Sequence, residues 1–180
     1  MAGTDTVEAM ARAAPADAAG WIYRRALGRF ATGVVVVTTP WQGRIHGMTA
    51  NAFMSGSMSP PLVVVSISRS ARLAGLVRES GLFGVSVLAD DHETHSRHFA
   101  GQPQHKLAPE FRLMADVPVL ESALAAIAAD VETAHDCGDH VLFIGKVRRL
   151  EARPGQPLVF YDGGYCALEK DRWVEDPCVW

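Results

Sequence analysis

Four short segments of this chain hold residue types that could do chemistry together. The first, His46 to Phe53 (HGMTANAF), sets the small residues Gly47, Ala50 and Ala52 among Met48, Thr49 and Asn51. Small side chains let a flat ligand lie against the backbone, whose N–H and C=O groups can then read the polar edge of a ring. The second, Ser66 to Leu73 (SISRSARL), runs a strand into a helix through hydroxyls and two arginines. Free N–H groups at a helix N-terminus, with Ser70 as cap and Arg69 or Arg72 as counter-charge, suit a phosphate. Ser55, Ser57 and Ser59, read as lying in the preceding loop, add hydroxyl donors. In the third, GDHVLFIGKV from Gly138, Asp139 and His140 sit at a turn before a strand. A histidine there can meet a carboxamide or phosphate, and the carboxylate beside it can set its tautomer or pKa. The fourth, YDGGY from Tyr161 to Tyr165, is a tight turn between aromatics and reads as a hairpin before it reads as a stacking site.

Other chemistries lack their signatures. The sequence has no G-x-G-x-x-G or P-loop pattern, so a dinucleotide must be held some other way. It has no G-x-S-x-G elbow to support a hydrolase triad. His92, His95 and His98, with Glu93, resemble a metal motif, but H-E-T-H is one residue short of H-E-x-x-H. Their spacing spreads over about 120° of a helix surface, which suits a solvated face better than a closed ligand set. No metal site is expected.

Composition limits the partners. With 180 residues, 48% of them hydrophobic and 21% charged, the chain fits one globular domain with its own core. A formal charge of -3 gives no broad basic field, which argues against nucleic acid and anionic membranes, so an anionic ligand needs a local site. There is no signal-peptide pattern and no long uncharged apolar run, and a cytoplasmic location is expected. Cys137, Cys166 and Cys178 are odd in number and lack C-x-x-C spacing, so they read as small buried or incidental thiols.

The elements that must position these segments are mostly strands. Residues 1–16 read as a tail and 17–180 as the folded domain. A helix from Asp17 carries Ile22, Ala26, Leu27 and Phe30 at helical spacing until Gly33. Val34 to Thr39 is a β-branched strand, joined through Pro40-Trp41-Gln42-Gly43 to a second strand reaching about Phe53. Leu62–Ser68 and Leu82–Leu88 are strands around a helix from Ser70 to about Glu79. Asp90 or Asp91 caps a third helix through Phe99, and Gly101 to Pro118 reads as irregular. Further strands are Ala125–Thr133, His140–Leu150, Leu158–Tyr161 and Tyr165–Leu168. Many short strands with few helices imply a small β-barrel with peripheral helices.

Taken in order, FATGVVVVTT at Phe30, GMTANAF at Gly47, SPPLVVVSISRSARL at Ser59, SGLFGVSVL at Ser80, FAG at Phe99, GDHVLFIGKV at Gly138 and PLVFYDGGY at Pro157 resemble the flavin reductases. These are FMN-binding split barrels that serve as the small reductase components of two-component flavin monooxygenases. The similarity runs from about Tyr23 to Glu169. It implies a mainly β, Greek-key split β-barrel that pairs into a homodimer, with the flavin near the subunit boundary. By the same resemblance Thr49, Ala50, Asn51 and Ala52 line the isoalloxazine ring, with Met48 and Phe99 also among the cofactor-binding residues. Ser55 and Ser57 would lie toward the ribityl and phosphate, Ser66, Ser68, Arg69, Ser70 and Arg72 around the phosphate, and Tyr165 at the closure of the site. The family often has Asn where this chain has Ser68. His140 would meet the nicotinamide or its ribose.

The implied activity is transfer of a hydride from NADH or NADPH to FMN or FAD, with reduced flavin passing to a partner monooxygenase or halogenase. The two cofactors carry that chemistry, which needs a flat slot, a phosphate grip and room for a second flat ligand rather than a nucleophile or metal. Two alternatives share the barrel: a flavin-binding electron carrier or sensor without reductase activity, and an FMN-dependent oxidase of the pyridoxamine-phosphate oxidase type.

Overall fold

In the structure, a computed structural model that describes residues 16–168, every residue from Val34 to Thr39 is buried. The expected tail up to Pro15 and Cys178 lie outside the described residues. Strand β2 (Val35–Trp41) pairs with β3 (Arg44–Ala50) on one side and β6 (Leu82–Val87) on the other. Val35 and Val37 pack with Val65, Ile67, Phe83 and Phe143, while Val34 and Val36 pack with Leu88, Leu120 and Leu158. A strand covered on both faces favours apolar residues at successive positions, hence the unbroken valines, and the buried Thr38 and Thr39 hydroxyls are satisfied by the Pro118 and Leu82 carbonyls. Each one buried contributes about 1.5–3 kcal/mol of transfer free energy.

The barrel follows from connectivity. Strands β4 (Phe53–Met58), β5 (Pro61–Ser68), β9 (Ala125–Cys137) and β10 (His140–Ala152) complete a seven-stranded antiparallel sheet in the order β3-β2-β6-β9-β10-β5-β4. The edge strands β3 and β4 are consecutive in the chain and joined only by Asn51 and Ala52. Laid flat, the two edges would stand about 29 Å apart. The link from Ala50 to Phe53 reaches at most about 11 Å. The sheet therefore curls until its edges meet, with the seam at Asn51–Ala52. Gly145 on β10 permits the packing inside, since a Cβ there would overlap the Phe83 ring.

Helix α1 (Ala16–Leu27) precedes β1 (Thr32–Gly33), and α2 (Arg72–Ser80) turns Leu73, Ala74 and Val77 into the barrel core. Gly81 ends α2 at φ 67, its N–H donating to the Val77 carbonyl. Helix α3 (Glu93–Phe99), the hairpin β7 (Phe111–Met114) and β8 (Val117–Leu120), and the strands β11 (Val159–Tyr161) and β12 (Gly164–Cys166) cover the outside. β11 pairs with both β1 and β12.

The mainly β barrel with peripheral helices is as expected, and several local readings are corrected. The stretch read as irregular holds β7 and β8, whose turn places Ala115 and Asp116 at φ 47 and 68 without the Asn-Gly that marks such a turn. The serines at 55 and 57 lie on β4, not in a loop. The second expected strand breaks at Asn51 because the chain changes edges there. Helix α1 stops at Leu27, short of Phe30, and α3 has His92 rather than Asp90 or Asp91 at its N-cap position. β9 and β10 run on to Cys137 and Ala152 because they pair with each other almost throughout. Cys137 and Cys166 are exposed rather than buried.

Candidate functional site

The seam leaves one stretch of the barrel unclosed. β4 pairs with β5 as far as Phe53 opposite Val65, and the Ser66 N–H then donates to the Ala52 carbonyl at 3.0 Å. Among the described residues, the end of β5 beyond that point keeps only β10 as a strand partner, and β3 has no strand on its outer side. The split so formed has exposed Asn51 and Ala52 at its closed end. One flank is the β5–α2 corner with the β9–β10 turn. The other is β3 with α3 behind it.

At the α2 flank, Ser68 and His140 are register partners, so their side chains share a sheet face. The Ser68 and Ser70 hydroxyls bond each other at 2.9 Å. Ser70 is not the helix cap: Ala71 holds the N-cap position at φ -72, ψ 131, with no side-chain cap, so among the described residues the first N–H groups of α2 receive no side-chain acceptor. Arg69 donates its backbone N–H to the Asp139 carbonyl (2.9 Å) and Nη1 to the Gly138 carbonyl (3.3 Å), fixing the β9–β10 turn beside β5. The Arg72 guanidinium stands 4.5 Å from the centroid of the Trp41 ring. Burial, helped by the Arg72 charge, holds the neighbouring His46 below the usual histidine range.

His140 Nδ1 lies 2.7 Å from Asp139 Oδ1, with the imidazole 43% exposed. The hydrogen bond and charge of His140 hold the Asp139 carboxyl below its ordinary pKa. With Nδ1–H committed to that carboxylate, Nε2 is left for a ligand. The neutral ring accepts there, as from a carboxamide NH₂, and the protonated ring donates there, as to a phosphate.

The α3 flank is bonded to itself. Thr49 Oγ1 donates to the Ser96 carbonyl at 2.7 Å, and the fully buried Ser96 hydroxyl shares a 2.8 Å bond with the Tyr165 hydroxyl. The Arg97 guanidinium lies 5.2 Å over the Tyr165 ring. A Cβ on Gly47 would stand 3.1 Å from the Phe99 ring, which meets Phe111 edge-on at 6.0 Å. Met48 and Ala50, on the opposite face of β3, pack into the barrel core. Of the residues expected along a ring, Asn51 and Ala52 are open, whereas the side chains of Met48, Thr49 and Ala50 are held by packing or by α3.

Thus Ser66, Ser68, Ser70, Arg69 and His140 are brought to one corner, and Thr49, Phe99 and Tyr165 to the facing flank. Ser55 and Ser57 are not brought to Ser68. β4 runs away from the seam, and Val63, the partner of Ser55, lies about 17 Å along β5 from Ser68.

The histidines of α3 do not form a solvated face. His92 is buried, accepts the Ala89 N–H at Nδ1 (3.2 Å), and lies 4.6 Å from the His95 ring. Burial pushes both below the usual histidine range. Among the described residues, no group of metal-ligating side chains is placed to hold an ion. A cavity of about 330 Å³ lies elsewhere, at the start of β9 and end of β10. It is crossed by Arg112 bonding Glu151 (2.7 Å) and Glu121 (3.3 Å), a self-satisfied ion network rather than a ligand site.

Sequence reading did not single out Ser96, Trp41 or His46 for the site. Ser96 carries no motif, its role arising only from the fold. Trp41 read as a turn residue although an exposed arginine covers it.

Comparison with known proteins gives these flanks a context. The family model described as "Flavin reductase like domain" matches residues 27–169. The chain is 48% identical over 149 residues to the NADH-dependent flavin reductase of a Rhodococcus species, covering 81% of this chain and 85% of that protein. It is 38% identical to the reductase component of 4-hydroxyphenylacetate 3-monooxygenase from Thermus thermophilus, over 81% of this chain and 95% of the relative. The solved structure of the NADH:FAD oxidoreductase from Streptomyces globisporus C-1027, in complex with NAD and FAD fragments, superposes with a TM-score of 0.76. It has 31% identity and covers 83% of this chain and 93% of that one.

Proposed function

Because this chain belongs to the flavin reductase like family, we infer that it is an NAD(P)H:flavin oxidoreductase whose reduced flavin serves a partner monooxygenase or halogenase. The observation that carries this reading is the split itself, an unclosed seam with a rigid flank of bonded side chains on one side and hydroxyl and cationic groups on the other. These residues fit a flavin. Ala52 presents little bulk to a flat ring and Asn51 an exposed amide, and the uncapped start of α2, with Ser66, Ser68, Ser70, Arg69 and Arg72, fits the phosphate. When bound, the nicotinamide supplies a hydride from C4 and the flavin accepts it at N5.

The protein's part is to bind, orient and exclude water. Backbone from Met48 to Ala52 borders the ring. His140, oriented through Asp139, offers Nε2 to the nicotinamide carboxamide or a phosphate. Tyr165, held by Ser96, closes the far flank. NADH is the donor named for the Rhodococcus relative and is the one we favour here.

We also propose a homodimer. Met54, Val64, Leu62, Leu142 and Ile144 form an apolar outer face on β4, β5 and β10, and Met54 is 60% exposed. Ser66, Ser68 and His140 share that face, so a second copy covering it would border the flavin and bring further residues to it. No helix among the described residues is long and apolar enough to cross a membrane, and a cytoplasmic enzyme suits a diffusing nucleotide donor. Steady-state kinetics with NADH and NADPH against FMN and FAD test the function. Oxidation of either nicotinamide that depends on added flavin is expected, and its absence with all four pairs would remove the assignment. Light scattering that stayed at the 19.4 kDa of one chain at micromolar concentration would remove the dimer.

A further inference from the structure

Arg72 differs from the arginines around it. Arg69 donates to the Gly138 carbonyl, and Arg78 pairs with Asp136 at 2.5 Å. Among the described residues, no carboxylate lies within 4.0 Å of Arg72, and the first turn of α2 contains no acidic residue. Its partner is Trp41, the last residue of β2, whose ring centroid stands 4.5 Å from Cζ. A cation over an indole face is held by the ring quadrupole, a contact that occupies none of the guanidinium N–H donors. A long side chain left free would have to be ordered when an anion bound; one already stacked has lost that freedom beforehand. The neighbouring His46 is held below the usual histidine range by burial first and by the Arg72 charge second.

We propose that Trp41 is a positioning residue for the phosphate of a flavin nucleotide: stacked beneath Arg72, it holds that guanidinium at the rim of the split with its donors free. This rests on the flavin-binding reading above. Trp41 touches neither flavin ring nor nicotinamide in this account and acts only through Arg72. It therefore separates phosphorylated from unphosphorylated flavins without contributing to the ring slot.

The test compares equilibrium binding of FMN and riboflavin, by quenching of flavin fluorescence, to the full-length protein and its Trp41→Ala, Trp41→Phe, Arg72→Ala and double alanine variants. Trp41→Ala is expected to weaken FMN about 2- to 5-fold, the scale of one exposed cation–π contact, and to leave riboflavin unchanged. Trp41→Phe should restore most of the loss, because a phenyl ring still offers a face. The double variant should bind FMN about as Arg72→Ala does, since the two act as one unit. Equal weakening of FMN and riboflavin by Trp41→Ala would overturn the proposal, as would normal FMN binding by Trp41→Ala when Arg72→Ala binds FMN poorly. A wild-type protein that bound neither flavin would instead overturn the functional reading beneath it.

Discussion

The two flanks of the split use their polar groups in opposite ways. On the α3 flank, Thr49, Ser96 and Tyr165 bond one another and Ser96 is wholly buried, so little is left to offer a ligand. On the α2 flank, Ser70, Arg69 and Arg72 are exposed, the helix start is uncapped, and His140 keeps Nε2 free. On the proposed function, the first arrangement would fix the width of a slot and the second would choose what enters it. Substitutions on the α3 flank should therefore be felt first as lost stability, and those on the α2 flank as lost binding or turnover in a protein that still folds.

The largest effect is expected at His140. His140→Ala should lower kcat/KM for NADH by about 10- to 100-fold with the flavin dissociation constant nearly unchanged, the cost of one orienting hydrogen bond. Thermal melting should barely move. Equal loss of flavin affinity would place His140 in the flavin grip instead, and a large drop in Tm would erase the contrast between the flanks.

Ser96→Ala comes next and should show the reverse pattern. Removing a buried hydroxyl and leaving the Tyr165 hydroxyl without its partner should cost about 1–2 kcal/mol, read as a fall in Tm of several degrees. Tyr165→Phe should reproduce much of that loss, and a double variant should fall short of the sum. Unchanged Tm in both single variants would mean that the α3 flank is not the rigid one.

Acid should also separate the flanks. His92 and His95 are lowered chiefly by burial, so their folded pKa lies below the unfolded value of about 6.5. Between those two values the unfolded chain binds more protons, and stability is lost as pH falls below about 6.5. Asp139 has a lowered carboxylate pKa, so whatever its pairing contributes is lost only as pH falls through the more acidic carboxylate range. Melting curves from pH 7.5 to about 5.5 should decline in the wild type and decline less in His92→Asn; equal slopes would contradict the burial account.

The smallest change is expected from Asp139→Asn. The carboxylate is 92% exposed, so stability should stay constant and kcat/KM for NADH should fall by no more than about threefold.

The α2 flank was largely legible in the sequence, and the α3 flank was not. SISRSARL and GDHV announce themselves because hydroxyls, arginines and a histidine cluster within a few residues, and the fold only had to bring two turns together. The valine run likewise declared a strand. The wall of the slot depends on contacts between residues far apart: Thr49 meets Ser96, and Ser96 meets Tyr165. No local pattern marks Ser96, and the His92–His95–His98 spacing suggested a wet face because periodicity cannot say what will pack on a short helix. β4 was missed because a two-residue change of sheet edge at Asn51–Ala52 has no composition of its own, and its serines imitate a loop. The β7–β8 turn was missed because Ala115-Asp116 adopts left-handed backbone without glycine.

The central claim is that the split holds a nicotinamide and a flavin together for hydride transfer. Rapid anaerobic mixing of the enzyme and flavin with NADH, following the visible absorbance of oxidised flavin, tests it most directly. The account predicts bleaching of one flavin for each NADH oxidised, accelerated by the protein and slowed by His140→Ala. NADH consumed without bleaching, or flavin that stays oxidised with the protein present, would contradict it.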